Sequence, residues 1–312
     1  MRWRGNRQSD NIEDMRGQDQ GGFRLPFPRR GRGRIRMPAG RGARGGGIGI
    51  GGIIVLLVIG YFLGINPLEL LTGGGGMPGM PSPGRSVQPS SPPRGSGREQ
   101  EMVRFVSVVL ASTEDSWKAL FADMGRVYEE PKLVLFSGSV RSACGFAQSA
   151  MGPFYCPGDR KVYLDLSFFK EMRDRFRAPG DFAQAYVIAH EIGHHVQTLL
   201  GISARVQKAK RGASRTEANA IQVRMELQAD CLAGVWAYHA DKARGILESG
   251  DIDEALNAAN AIGDDTLQKR SQGYVVPDSF THGSSAQRKR WFSTGIRTGD
   301  IKRCNTFSSS NP

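Results

Sequence analysis

The chain has 312 residues, and its 42 basic and 30 acidic side chains leave a formal net charge of +12 at pH 7. Residues 1–47 contribute +8 of this charge, through twelve Arg, no Lys and four acidic residues. The positive charge is therefore concentrated in one short segment. No phosphate-binding loop or dinucleotide fingerprint occurs in the sequence, which excludes the nucleotide-dependent classes that carry one.

The first 66 residues have the pattern of a membrane anchor. Residues 1–47 form a basic tail rich in Arg and Gly, and residues 48–66 are apolar and carry no charge. About 19 apolar residues can cross a bilayer core of ~30 Å as one transmembrane helix. The positive-inside rule then predicts a single-pass protein of the bacterial inner membrane, with a cytoplasmic N-terminus and the rest of the chain in the periplasm. An Arg-Gly tract can also bind RNA, but no nucleic-acid partner is expected, because a membrane segment follows the tail directly.

Residues 67–100 are rich in Pro, Gly and Ser and are predicted to be a disordered linker. Residues 101–307 then form one globular domain, which contains all four cysteines: Cys144, Cys156, Cys231 and Cys304. Four cysteines allow three pairings. In an exported domain we favour disulfides over free thiols. One pairing joins Cys144 to Cys156 across a short loop and Cys231 to Cys304 near the C-terminus.

The globular domain shows mostly helical patterns, with two strands among them. Strand patterns occupy residues 132–136 and 161–166. Helical patterns occupy residues 101–128, 166–177, 181–200, 251–268 and 285–294, the last ending at Gly295. These elements predict a helix-rich α+β fold with a small sheet.

The sequence His190-Glu191-Ile192-Gly193-His194 contains the H-E-x-x-H pattern of zinc proteases, inside the helix predicted for residues 181–200. Residues four apart lie on one face of a helix, so His190 and His194 can bind one metal ion. Glu191 lies beside them as a candidate general base. His195 points away from this face, and we expect it to pack or to form hydrogen bonds.

A catalytic zinc usually has three protein ligands and one open position. The class with a third histidine needs Gly and His where this chain has Gln197 and Leu200, so that class is excluded. Glu226 lies on a later helix that begins with a capping box, and it is our candidate for the third ligand. Asp230 shares a helix face with Glu226 and can accept a hydrogen bond from a ligating histidine.

Small residues occur where the two candidate ligand helices would cross. They include Gly193 on the first helix and Ala229 on the second. Glycine inside a helix costs about 1 kcal/mol relative to alanine. A close approach of the helices would justify that cost and bring Glu226 to the metal.

Several motifs together resemble the bacterial neutral zinc metallopeptidase family. They are C-G-F-A at 144–147, G-P-F-Y-C-P at 152–157, V-Y-L-D-L-S-F-F at 162–169, H-E-I-G-H-H at 190–195, E-L-Q-A-D-C at 226–231 and P-D-S-F-T-H-G-S-S at 277–285. The resemblance covers about residues 98–307 and includes the basic tail and membrane segment before them. It implies a zincin-like metallopeptidase fold with Glu226 as the third ligand of the zinc ion, and we expect one zinc per chain.

Peptide hydrolysis also needs a donor for the developing oxyanion. The candidate is His282, which lies in a loop before a predicted helix, and its rival is Tyr274. Extended substrates of zincins pair with an edge strand. The resemblance places that edge between Gly145 and Cys156.

These patterns lead to a principal hypothesis and two alternatives. The principal hypothesis is a membrane-anchored zinc endopeptidase that hydrolyses peptide or protein substrates of the cell envelope, with Glu191 as general base. The second is a zinc-stabilised scaffold that binds envelope components without cleaving them, although such a scaffold needs no base at Glu191. The third is an RNA- or lipid-binding protein acting through its Arg-Gly tail.

Overall fold

The computed structural model describes residues 1–17, 96–309 and 312. The predicted membrane segment at 48–66 and nearly all of the predicted linker lie outside these residues. No helix within the described part of the chain is both long and apolar enough to cross a membrane.

Helices make up most of the described structure, as the helix-rich α+β prediction requires. They are α1 (Gly97–Asp123), α2 (Ser167–Asp174), α3 (Asp181–Leu199), α4 (Ile202–Lys210), α5 (Arg215–Arg244), α6 (Asp251–Ala261), α7 (Asp264–Gln272) and α8 (Ser285–Thr298). Short 3₁₀ turns occur at Ser149–Met151, Pro277–Ser279 and Ile301–Cys304. α1 begins four residues before the predicted domain boundary, because Ser96 and Glu99 form a capping box there.

Two of the predicted helix boundaries are wrong for a common physical reason. The helix predicted over residues 251–268 is broken at Gly263, whose backbone is extended and packs against Ser285. The helix predicted to end at Gly295 continues to Thr298, because Gly295 lies inside α8 where that helix touches α5. A Cβ atom on residue 295 would overlap the carbonyl oxygen of Cys231. Both glycines therefore serve close packing.

The strands are β1 (Ile12–Asp14), β2 (Lys132–Phe136), β3 (Ser139–Ser142), β4 (Gly145–Gln148), β5 (Phe154–Cys156) and β6 (Lys161–Asp165). The main sheet has the order β1-β2-β6-β5, and β3 and β4 form a separate hairpin. β1 and β6 both run parallel to β2, whereas β5 runs antiparallel to β6 at one edge. The predicted strands at 132–136 and 161–166 are thus confirmed as the two central strands.

The structure differs from the predicted division of the chain at its N-terminal end. Residues 1–17, assigned from the sequence to a separate basic tail, pack against the globular domain in the same compact unit. β1 pairs with β2 through Ile12 opposite Leu133, Glu13 opposite Val134 and Asp14 opposite Leu135. A strand of three residues is too short to show the alternation of apolar and polar residues from which strands are predicted.

The hydrophobic core lies between the sheet and the helices α1, α3, α5, α6 and α8. Its largest fully buried side chains are Trp117, Trp236, Tyr186, Phe121, Phe182 and Phe292. This core packs α3 against α5, and these are the helices that carry the predicted metal ligands.

Two disulfides join Cys144 to Cys156 and Cys231 to Cys304. Of the three pairings that the sequence allows, this is the one named above. The first ties the loop after the β3 strand to the edge strand β5, and the second ties α5 to the last 3₁₀ turn. Both therefore brace elements next to the predicted metal centre.

Candidate metal centre

The three predicted metal ligands lie together at the crossing of α3 and α5. The Oε2 atom of Glu226 lies 3.2 Å from Nε2 of His190 and 3.3 Å from Nε2 of His194. A tetrahedral zinc with bonds of 2.0–2.1 Å needs neighbouring ligand atoms about 3.3 Å apart. The nitrogen and oxygen donors of these side chains therefore fit a zinc ion in both chemistry and spacing.

A close contact between the helices brings Glu226 to the two histidines. A Cβ atom on Gly193 would lie only 3.0 Å from the carbonyl oxygen and 3.1 Å from the Cα atom of Ala229. Ala229 lies one helical turn after Glu226. The predicted approach at Gly193 is confirmed, and a larger residue there would push the two ligand-bearing helices apart.

Asp230 orients His190 from behind, as predicted. Nδ1 of His190 lies 2.8 Å from Oδ1 of Asp230. Burial alone would raise the pKa of Asp230, but the neighbouring Arg288 and His190 outweigh burial and bring it to about 2. The ionised carboxylate only accepts hydrogen bonds. Nδ1 of His190 therefore carries the proton, and Nε2 is free to bind a metal.

Arg288 is a residue that sequence reasoning missed. Its guanidinium is buried, and Nε and Nη2 donate to the two carboxylate oxygens of Asp230, each at 2.9 Å. The Tyr186 hydroxyl also donates to Oδ1 of Asp230 at 2.5 Å and accepts from Nη2 of Arg288 at 3.2 Å. The carboxylate that orients His190 is thus itself held by two residues from different helices.

His194 has its own supporting residue. Nδ1 of His194 lies 2.8 Å from Oε1 of Gln197, while Nε2 of Gln197 donates to the Met225 carbonyl at 2.8 Å and to Gln228 at 3.1 Å. The amide of Gln197 therefore links His194 to α5. In the sequence, Gln197 served only to exclude the class with a third histidine.

The candidate base Glu191 lies on the same cleft as the predicted ligands. Its residue is only 8% exposed. Burial raises the pKa of its carboxyl above the ordinary value, although the neighbouring His190 and His194 act in the opposite direction. A carboxylate with a raised pKa is a stronger proton acceptor, as a general base requires.

His282 lies on the cleft, whereas its rival Tyr274 is not among the residues that line it. The imidazole of His282 is half exposed, and Nδ1 lies 3.4 Å from Oδ1 of Asp264. Asp264 also accepts backbone N–H bonds from Thr281 at 2.7 Å, His282 at 2.6 Å and Gly283 at 3.0 Å. Asp264 is the first residue of α7, directly after the break at Gly263. The break was not predicted, and it places the Asp264 carboxylate where it can bind the His282 loop.

The cleft has a volume of about 420 Å³. The three predicted ligands line it, and so does Gly152–Tyr155, which includes part of the edge strand β5. The apolar side chains of its walls include Met151, Pro153, Phe154, Phe168, Phe176, Val187, Ile262 and Leu267. The expected edge region near Gly145–Cys156 therefore contributes to the cleft.

His195 lies outside the metal centre, as predicted. Nε2 of His195 lies 2.6 Å from the carbonyl oxygen of Glu129, and Nδ1 lies 3.1 Å from the hydroxyl of Tyr155. Burial lowers the pKa of His195 to about 4. A neutral His195 therefore fastens the edge strand to α3.

Comparison with known proteins agrees with this geometry. The profile of a family described as "Putative neutral zinc metallopeptidase" matches residues 1–307. Protein YpfJ of Escherichia coli K12 is 50% identical over 311 residues, which cover 99% of this chain and all of that protein. Protein Rv2575 of Mycobacterium tuberculosis H37Rv is 44% identical over 218 residues, or 67% of this chain and 73% of that protein. No solved structure matches the chain. The chain belongs to the neutral zinc metallopeptidase family.

Proposed function

We propose that the protein is a zinc-dependent endopeptidase with one zinc ion per chain. The observation that carries this proposal is the His190–His194–Glu226 set, whose spacing fits zinc, with Glu191 beside it in an open cleft. A zinc ion held there supplies a Lewis acid, which polarises the scissile carbonyl and makes water more acidic. The side chains around the ion supply the proton transfers and the orientation.

Glu191 is the proposed general base. Its carboxylate accepts a proton from the attacking water as the water oxygen bonds to the carbonyl carbon. It then gives the proton to the amide nitrogen as the C–N bond breaks. The carboxylate ends the cycle in the state in which it began, so no other proton donor is required at the leaving nitrogen.

His282 is the proposed donor to the developing oxyanion. Asp264 lies beside its Nδ1 atom and fixes the loop through three backbone hydrogen bonds. This arrangement leaves Nε2 of His282 as the atom available to a ligand in the cleft. A positioned donor of this kind stabilises negative charge that develops in the transition state.

The proposed substrate is an extended peptide segment that pairs with β5. β5 is the last strand of its sheet, and its residues Phe154 and Tyr155 line the cleft. An edge strand offers main-chain hydrogen bonds to any extended peptide, whereas pockets for side chains provide selectivity. The apolar walls beside it favour substrates with large apolar side chains near the scissile bond.

We further propose that residues 48–66 attach the protein to the bacterial inner membrane. Residues 96–309, here called the zinc domain, would act on envelope proteins in the periplasm. The apolar sequence of that segment supports attachment. The two disulfides support an oxidising compartment for residues 96–309.

The decisive experiment compares the full-length wild type with Glu191→Gln and with Glu129→Gln, an exposed surface residue that serves as a matched control. We expect about one zinc per chain in all three proteins. Cleavage of a peptide library should fall on the order of a hundredfold or more in Glu191→Gln alone. Equal cleavage by Glu191→Gln and the wild type would contradict the mechanism. Zinc binding without cleavage by any of the three would favour the non-catalytic scaffold.

A further inference from the structure

Residues 1–17, here called the N-terminal brace, cover one face of the zinc domain. They run along α1 and then add β1 to the edge of β2. The Met1 residue is only 8% exposed, and the ring of Trp3 packs edge-on against Phe105 at a centroid distance of 5.4 Å. The brace therefore forms an interface with the zinc domain. Its first residues make apolar contacts, and its last residues pair as a strand with β2.

A buried carboxylate lies beneath the brace. The side chain of Glu114, in the middle of α1, is 1% exposed. Arg7 donates to its Oε2 atom at 2.8 Å, the Ser9 hydroxyl donates to Oε1, and Nδ2 of Asn11 donates to Oε1 at 3.0 Å. Within the described residues, every hydrogen bond to this carboxylate comes from the brace. Removing the brace would uncover an acidic group that the domain leaves unpaired.

Backbone groups hold the brace at two further places. Ser9 and Ser107 bond to each other twice, from the Ser9 N–H to the Ser107 carbonyl at 3.1 Å and from the Ser107 hydroxyl to the Ser9 carbonyl at 2.9 Å. The Leu133 N–H donates to the Asn11 carbonyl at 2.8 Å. Main-chain bonds of this kind fix the register of the segment as well as its position.

The brace also touches the zinc-binding helix. The amino group of Met1 lies 2.9 Å from a carboxylate oxygen of Asp181, the first residue of α3. The family match extends from residue 1 to residue 307, so it covers the brace and the zinc domain together. The brace therefore contacts the first residue of α3, the helix that also carries His190.

We infer that residues 1–17 stay docked on the zinc domain through non-covalent contacts, and that residues 1–17 and 96–309 reside in the same cellular compartment. A strand cannot pair with β2 from the opposite side of a membrane. This inference replaces the expected topology, in which residues 48–66 cross the membrane once between a cytoplasmic tail and a periplasmic domain. It is independent of whether the zinc site is catalytic.

The first test locates the two parts of the full-length chain in cells. Gln8 in the brace and Gln207 in α4 are both exposed. Each is replaced singly by cysteine, and spheroplasts are treated with a membrane-impermeant maleimide before and after lysis. We expect the two positions to label alike, either both in intact spheroplasts or both only after lysis. Labelling of one position in intact spheroplasts and of the other only after lysis would overturn the inference.

The second test measures docking directly. Two protease sites are inserted into the full-length chain, one near residue 20 and one near residue 94, and the cut protein is separated by gel filtration. We expect the brace to remain with the zinc domain after cleavage. Loss of the brace from the wild type at micromolar concentration would overturn the inference.

A matched pair of variants tests the role of Glu114 in this docking. Asn11→Asp places a second carboxylate about 3 Å from Glu114 and from Glu130, where the amide now donates at 3.0 and 2.9 Å. We expect it to weaken retention of the brace on the order of a hundredfold. Asp10→Asn makes the opposite exchange at the exposed neighbouring position and should retain the brace. Equal retention of both variants would contradict the argument from Glu114.

Discussion

The contact between Gly193 and Ala229 makes a quantitative prediction about zinc affinity. A Cβ atom on residue 193 would lie 3.0 Å, 3.1 Å and 3.3 Å from the carbonyl oxygen, Cα and Cβ atoms of Ala229. Contacts between carbon atoms are most favourable at about 3.5–4.0 Å. Gly193→Val adds two further methyl groups, so α3 and α5 must separate by roughly 0.5–1 Å.

The energetic consequence follows from the position of Glu226, one turn before Ala229. Over-packing of this kind costs about 1–3 kcal/mol. Because separation also lengthens the distances of 3.2 and 3.3 Å between Glu226 and the two histidines, part of this cost falls on the metal site. Each 1.4 kcal/mol is about tenfold in a dissociation constant, so the whole cost corresponds to about 5- to 150-fold. We expect zinc affinity to fall by up to that factor.

The assay is competition for zinc with a chromophoric chelator, with circular dichroism to show that the variant is folded. Gly212→Val is the matched control, because no atom lies within 4 Å of a Cβ built on Gly212. A folded Gly193→Val protein that binds zinc as tightly as the wild type would refute the idea that this contact sets the ligand geometry.

Two further predictions concern residues that support the metal centre. Arg288→Met leaves the buried Asp230 carboxylate without its guanidinium partner. We expect the free energy of unfolding, measured with urea, to fall by roughly 3 kcal/mol and zinc binding to weaken. Unchanged values for both quantities would exclude a supporting role of Arg288. His195 has a pKa of about 4 in the folded protein against an ordinary value of 6.5, so acid protonates the unfolded chain first. Between pH 7 and pH 5 the wild type should therefore lose about 2 kcal/mol more stability than His195→Gln, and identical pH profiles in thermal unfolding would contradict this.

The part of the site that depends on helical periodicity could be predicted from the sequence. His190 and His194 share a face because they are four residues apart, and the same spacing joins Glu226 to Asp230. Small residues at the helix crossing indicated the close approach. The family motifs supplied the pairing of these two helices in space, which periodicity alone does not give.

Long-range polar contacts could not be predicted in this way. Arg288 lies 58 positions from Asp230, and Asp264 lies 18 positions from His282. Neither residue differs in local pattern from an ordinary surface charge, so only the fold shows that one is buried and the other supports a loop. The docking of residues 1–17 was missed because their charge and short strand resemble a solvated tail.

The position of β1 also has a consequence for the order of folding during synthesis. Asn11 is made well before its partner Glu130, from which 119 positions separate it. β1 precedes every other described element, yet it cannot pair until β2 has left the ribosome. Closing so long an interval costs loop entropy, which the contacts between the brace and the domain must offset. β1 must therefore remain unpaired until the intervening chain has been made, and its pairing with β2 then closes that interval.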